Sequence, residues 1–302
     1  MPLTAAAPPQ AVPVYSGFDY VTVDSVRRRV YAAHTGSRAL LIVDADSGNV
    51  IGQVRVGPLH GVAVDPDNGH VYTGDGDAHS VSEVDPVTMK VVRSVDVDGT
   101  IDAVAYDAKT HRILADEDDG TRMFIVDSRT FKSLGSVKLP GHKPEYLAVD
   151  PATSAVFQNI ATDNEFVIVD TGTMRVTKSV QTPELTGNHP LQYDPGLHQV
   201  IVGGANGVFS GYDTAGNKRW QGTYSKGTDQ CDLDATKHWL ACAGGGDITL
   251  FALTASAPPT VLGQVTVGRG MHTLAIDSKT HDVWAVWAGT DGDHVQRFSY
   301  KP

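Results

Sequence analysis

The stretch "LHGVAVD", residues 59–65, sets a histidine at the head of a short apolar run that closes on an aspartate. The same form returns as "FDYVTVD", "IDAVAYD", "PEYLAVD", "NHPLQYD", "TDQCDLD" and "MHTLAID". The closing residues are Asp24, Asp65, Asp107, Asp150, Asp194, Asp234 and Asp277, at steps of 41, 42, 43, 44, 40 and 43 residues. A self-similar period of this length marks a repeat architecture. After each aspartate comes a polar turn, then a run such as "HVYTG" or "RILAD", then one such as "ALLIVD" or "MFIVD", then a fourth such as "VIGQVRV". Four β-rich runs joined by turns form an antiparallel meander.

One small sheet cannot bury both of its faces, so successive copies must stack around an axis. The pattern predicts an all-β, seven-bladed β-propeller of four-stranded antiparallel blades. The last copy, from Met271 onward, carries only three strand-like runs. Its missing outer strand is assigned to "QAVPVYS", residues 10–16, which closes the ring and covers an open edge. This division gives a single propeller domain over 10–302, with residues 1–9 set apart as the disordered remnant of an export segment.

The chain has 302 residues, 41% of them hydrophobic, and 35 acids against 24 lysines and arginines give a net charge of −11. A negative field of this kind repels phosphate backbones and anionic lipid, which argues against nucleic-acid partners. Apolar runs stay far below the roughly 20 residues that cross a bilayer as a helix, so no membrane insertion is expected. The N-terminal "MPLTAAAPPQ" has the small residues of a trimmed signal-peptide end, which predicts a periplasmic or secreted protein. The expected partner is a small-molecule substrate and the expected state a monomer.

"VYAAHTGSRALLIVDADSGNVIGQVRVG" followed by "GPLHGVAVDP" resembles the YVTN-repeat, YncE-like propellers, with their YVAN-type second strand, their S-x-x-x-x-V-I-D third strand and their G-x-x-P-x-G-V-A-V first strand. The resemblance runs through all seven repeats and is weakest in the fifth and sixth. It implies the fold. For function it implies only a range: ligand-binding periplasmic proteins, lactonase-like hydrolases, and metal or haem oxidoreductases.

Five residues before each closing aspartate stand Asp19, His60, Asp102, Glu145, His189, Asp229 and His272. Every one is Asp, Glu or His. Strand alternation puts each on the face of the aliphatics two and four residues further on, such as Val62 and Val64, at the mouth of the central channel. His60, His189 and His272 fall in blades 2, 5 and 7, nearly evenly around the axis. They are the expected ligands of one divalent or redox metal ion, with zinc, manganese, calcium, copper and iron all open. Glu145, Asp19, Asp102 and Asp229 are the candidate proton acceptors. His34 and Asp75 form part of a second ring, and Arg269 is placed to hold an anionic substrate. This set predicts a metal-dependent hydrolase or lyase acting on a small ester, lactone or uronate-like substrate. Two other readings stay open, a copper or iron oxidoreductase with the same ligands and a non-catalytic periplasmic binding propeller. A ring that only keeps the channel wet is the plainest one.

The turn histidines His70, His111, His198, His238 and His281 are expected to be solvated at the opposite end. Cys231 and Cys242 come out as cross-strand neighbours in blade 6, as a disulfide or as two buried thiols. No nucleophile elbow, phosphate loop, dinucleotide fingerprint or His-Glu-x-x-His motif occurs in the sequence.

Overall fold

The structure is a computed structural model, which describes residues 3–12, 17–290 and 292–301. It forms a seven-bladed propeller, with six sheets of four sequential antiparallel strands and a composite last sheet. The innermost strands are Val21–Asp24, Leu59–Val64, Ile101–Asp107, Pro144–Val149, Asn188–Asp194, Thr228–Asp234 and Thr273–Asp277. Each lies beside the innermost strand of the next blade, and the last packs on the first. Aliphatic and aromatic side chains fill the spaces between blades, as where Tyr31, Leu40, Ile42 and Leu59 meet between blades 1 and 2.

Ring closure uses the N-terminus, in two pieces. Leu3–Ala5 pairs with Phe298–Tyr300, and Gln10–Val12 pairs with Asp293–Val295, both on the strand Gly292–Tyr300. The closing strand therefore begins before residue 10. Leu3, set apart with the export remnant, is buried in the core of the last blade. The strand breaks at Ala7-Pro8-Pro9, where two prolines lack the N–H that a ladder needs. Residues 13–16 of the expected closing strand lie outside the described residues.

The closing aspartates owe their recurrence to turn chemistry. In every blade the carboxylate Oδ1 accepts the backbone N–H two residues on, at 2.9–3.0 Å in Asp24, Asp65, Asp107, Asp150, Asp194, Asp234 and Asp277. Such Asx turns satisfy the hairpin backbone locally. Four residues after the aspartate the chain turns left-handed, with φ of 59° at Arg28, 55° at His238 and 62° at His281. From there the side chain reaches the closing aspartate of the preceding blade. Arg28 meets Asp277 at 2.5 Å, His238 meets Asp194 at 2.8 Å and His281 meets Asp234 at 2.6 Å. His238 and His281, expected to be solvated, are clasps between blades. His70 instead bonds Glu83 of its own blade, at 2.6 Å.

Cys231 and Cys242 are joined as a disulfide, in the register that makes them direct cross-strand partners.

Candidate functional site at the channel mouth

In blades 2 to 6 the residue that opens the repeat sits at an irregularity in its strand, while Asp19 and His272 stand just ahead of theirs. In blade 2 the register moves between Leu59 and Val62, so that His60 and Gly61 together oppose Gly74. The same shift falls at Asp102 in blade 3, His189 in blade 5 and Asp229 in blade 6, and directly after Glu145 in blade 4. A β-bulge re-aims the side chains it carries. Simple alternation with Val62 and Val64 therefore does not hold across this point. At the blade 6 bulge both Asp229 and its successor Gln230 reach the site, and so does Tyr20, which follows Asp19 just ahead of the first strand.

The ring separates into two carboxylate–imidazole–carboxylate groups. In the first, His60 Nδ1 lies 2.6 Å from Asp19 Oδ2 and 3.8 Å from Asp102 Oδ1. In the second, His189 Nε2 lies 2.9 Å from Glu145 Oε2 and 3.2 Å from Asp229 Oδ1. Each histidine belongs to the blade between those of its two acids. Lys143 Nζ stands 3.4 Å from Glu145, and Gln230 links the two halves by donating to Asp19 at 3.4 Å. Tyr20 donates its hydroxyl to Asp102 at 3.3 Å, and its ring meets that of Tyr146 from blade 4 with centroids 5.6 Å apart. His272 stands outside both groups, its two nitrogens facing the carbonyls of Gly270 and Phe18 at 2.8 and 3.1 Å.

Among the described residues, one set of His, Cys, Asp and Glu donors comes within 4.8 Å of one another, and it is Asp19, His60 and Asp102. The expected trio of His60, His189 and His272 makes no such set. Neighbouring carboxylates take the first two imidazoles, and backbone carbonyls take the third.

Charge is unevenly placed around the ring. Burial, with the neighbouring carboxylates Asp116, Asp19 and Glu145, pushes Asp102 well above the ordinary carboxyl range. Burial also raises Asp229, with Asp19 and Glu145 adding to it against the opposing His189 and His272. Glu145 behaves differently. Burial works against its charge, yet the hydrogen bond and charge of His189, with Lys143, hold it below the usual value. The hydrogen bond that His60 donates to Asp19 raises the imidazole pKa against its own burial.

The outlying candidates have structural partners. His34 is fully buried, 2.6 Å from Asp293 Oδ2, and Gln53 Nε2 faces its Nδ1 at 3.3 Å. That pattern puts the imidazole proton on Nε2 and joins blade 1 to blade 7. Asp75 is buried and caps its own loop by accepting Ala78 N–H at 2.8 Å. Arg269 is exposed, with no hydrogen bond or ion pair among the described residues. Asp116, directly behind the site, accepts Ala103 N–H at 2.6 Å and Gln158 Nε2 at 2.9 Å, and so fixes the bulge that carries Asp102.

The protein is thus a seven-bladed β-propeller with a histidine–carboxylate ring at one end of its channel. No family model and no curated protein matches the sequence, so the YVTN-repeat resemblance stands at the level of the fold. Solved structures match it over nearly the whole chain. Hydrazine synthase of Kuenenia stuttgartiensis aligns at 14% identity with a TM-score of 0.82, covering 97% of this chain and 99% of that one. A chain from the crystal structure of a mitotic checkpoint complex aligns at 14% identity with a TM-score of 0.84, covering 99% of this chain and 92% of that one. At such identity the likeness is one of fold.

Proposed function

We propose that the channel mouth binds one divalent transition-metal ion through Asp19, His60 and Asp102, and that the protein uses it to cleave a small ester, lactone or uronate-like substrate. The observation that carries this reading is the approach of three donors to within 4.8 Å of one another in a partly open site. Ligand atoms on one such ion stand about 3–4 Å apart, so small side-chain rotations close the set. Two carboxylates and one imidazole suit zinc, manganese or iron better than calcium, which takes oxygen ligands. A cation would also replace the proton between His60 and Asp19 and offset the acids gathered around it.

Bound there, the ion would polarise a substrate carbonyl or a water molecule. Asp229 is the better proton acceptor of the neighbouring acids, because its pKa is raised and its side chain is 35% exposed. Glu145 is held as an anion by His189 and Lys143 and is the weaker base. The disulfide supports an oxidising compartment, and so export.

A second reading, a binding propeller without catalysis, is favoured by the way six of the seven ring groups already pair as two carboxylate–imidazole–carboxylate sets. Titration calorimetry of chelator-treated protein with Zn²⁺ and Mn²⁺ separates the two. The metal reading expects one site with Kd near or below about 10 μM, lost in His60→Ala but kept in His272→Ala. Absence of saturable binding to the wild type would leave the binding propeller standing.

A further inference from the structure

A sizeable cavity lies away from the ring, at the opposite end of the blades. It is a cleft of ≈ 610 Å³ between blades 1 and 2, walled by Arg27, Arg29, Tyr31, Ile51, His70 and Met89 among others. Its volume falls within the usual range for small-molecule sites. Its base holds an anomaly. Tyr31 is fully buried, and its hydroxyl is the one buried tyrosine oxygen without a hydrogen-bond partner among the described residues. The equivalent tyrosine of blade 2, Tyr72, donates to the closing Asp65 at 2.9 Å. In blade 1 the closing Asp24 is already taken, Oδ2 by Arg27 Nη1 and Oδ1 by the N–H groups of Val26 and Arg27. A buried hydroxyl with no acceptor is costly.

The groups around it are donors. Arg29 uses only Nη1, on Arg28 O and Asp44, and so keeps donors to spare. Asp85 is the one carboxylate in the wall, and the N–H groups of Val87 and Thr88 and the Thr88 hydroxyl occupy its oxygens. Arg27 and Arg29 thus set two cations in the wall against one carboxylate, in a chain of net charge −11. Ile51 and Val87, 45% and 87% exposed, add apolar rim.

We propose that this cleft binds a small organic anion, a carboxylate on an apolar body, with the Tyr31 hydroxyl and the Arg29 guanidinium as donors to its oxygens. The apolar part lies against Ile51, Met89 and Val87. This site is independent of the channel mouth and of any metal there. The test uses 4-phenylbutyrate and its uncharged analogue 4-phenylbutan-1-ol, titrated by calorimetry and ligand-observed NMR against wild type, Tyr31→Phe and Arg29→Gln. The acid is expected to bind saturably at one site and the alcohol about tenfold more weakly. Each variant should lose about fivefold or more in affinity for the acid. Tyr31→Phe should unfold at a midpoint no lower than wild type, which keeps it informative about binding. Equal affinity for acid and alcohol, unchanged binding in both variants, or no saturation by about 10 mM acid would overturn the proposal.

Discussion

Arg28 in the first blade and Asp277 in the last share a hydrogen bond of 2.5 Å between two buried groups, so one ion pair spans the seam where the ring closes. The guanidinium also meets Asp46 at 2.9 Å. His238 and His281 make the same reach between blades 5, 6 and 7. Breaking such a pair from one side leaves the other charge buried and alone. Arg28→Gln should therefore lower the unfolding free energy by about 3 kcal/mol, read by denaturant titration. A loss no larger than that of an exposed arginine would show that the seam does not depend on it.

Gly61 fixes how closely blades 2 and 3 approach beside the proposed metal ligands. A Cβ there would stand 2.4 Å from Val104 N and 2.5 Å from Asp102 O, both backbone atoms that cannot swing away. Gly61→Ala should cost about 2 kcal/mol of stability and weaken cation binding about tenfold or more, by displacing Asp102 from His60. Retained affinity in a folded Gly61→Ala protein would disprove the assignment of Asp102 as a ligand.

The His189 pair makes stability depend on pH in a defined direction. Burial opposes the imidazolium, but the hydrogen bond to Glu145 and the charges of Asp229 and Glu145 raise its pKa to about 9. An unfolded histidine titrates near 6.5. The stabilisation is therefore complete below about 6.5 and fades as pH rises through 9. His189→Gln should be less stable than wild type by about 2 kcal/mol at pH 6.5, and the gap should shrink by pH 9.5. A gap that does not change with pH would contradict the assigned pair.

Cys231 and Cys242 close a short loop, and their bond should add about 2–3 kcal/mol in oxidised protein. A double change to serine, compared with wild type under reducing and oxidising conditions, measures it. Reduction of the wild type should reproduce the loss seen in the double variant.

The blade number, the four-strand meander and the cross-strand register of the cysteines could be read from spacing alone, because each rests on local periodicity and on the Asx turn at every closing aspartate. The ring at the mouth was legible as a column of residue types, but its geometry was not. A bulge changes which side chains face inward, and nothing in "LHGVAVD" or "IDAVAYD" announces an extra residue opposite Gly74 or Asp116. Gln230 escapes alternation for that reason, since it follows Asp229 at a bulge, and Tyr20 escapes it because it stands ahead of the first strand, where alternation does not apply. Lys143 lies outside the recurring column, two residues before Glu145, and no spacing singles it out. The clasps of Arg28, His238 and His281 depend on a left-handed turn and on a neighbour about 40 residues away or at the far end of the chain. No local pattern carries that information.

The two N-terminal pieces, Leu3–Ala5 and Gln10–Val12, lie on a strand nearly 290 positions further along the chain. During synthesis these two β-segments have no ladder to join until residues 292–300 have been made. Six blades can assemble in order of synthesis while the seventh waits. Among the described residues the final stitch is thus the most non-local pairing, and the slowest kind to form. For as long as it is missing, blade 7 offers a raw edge to any passing strand.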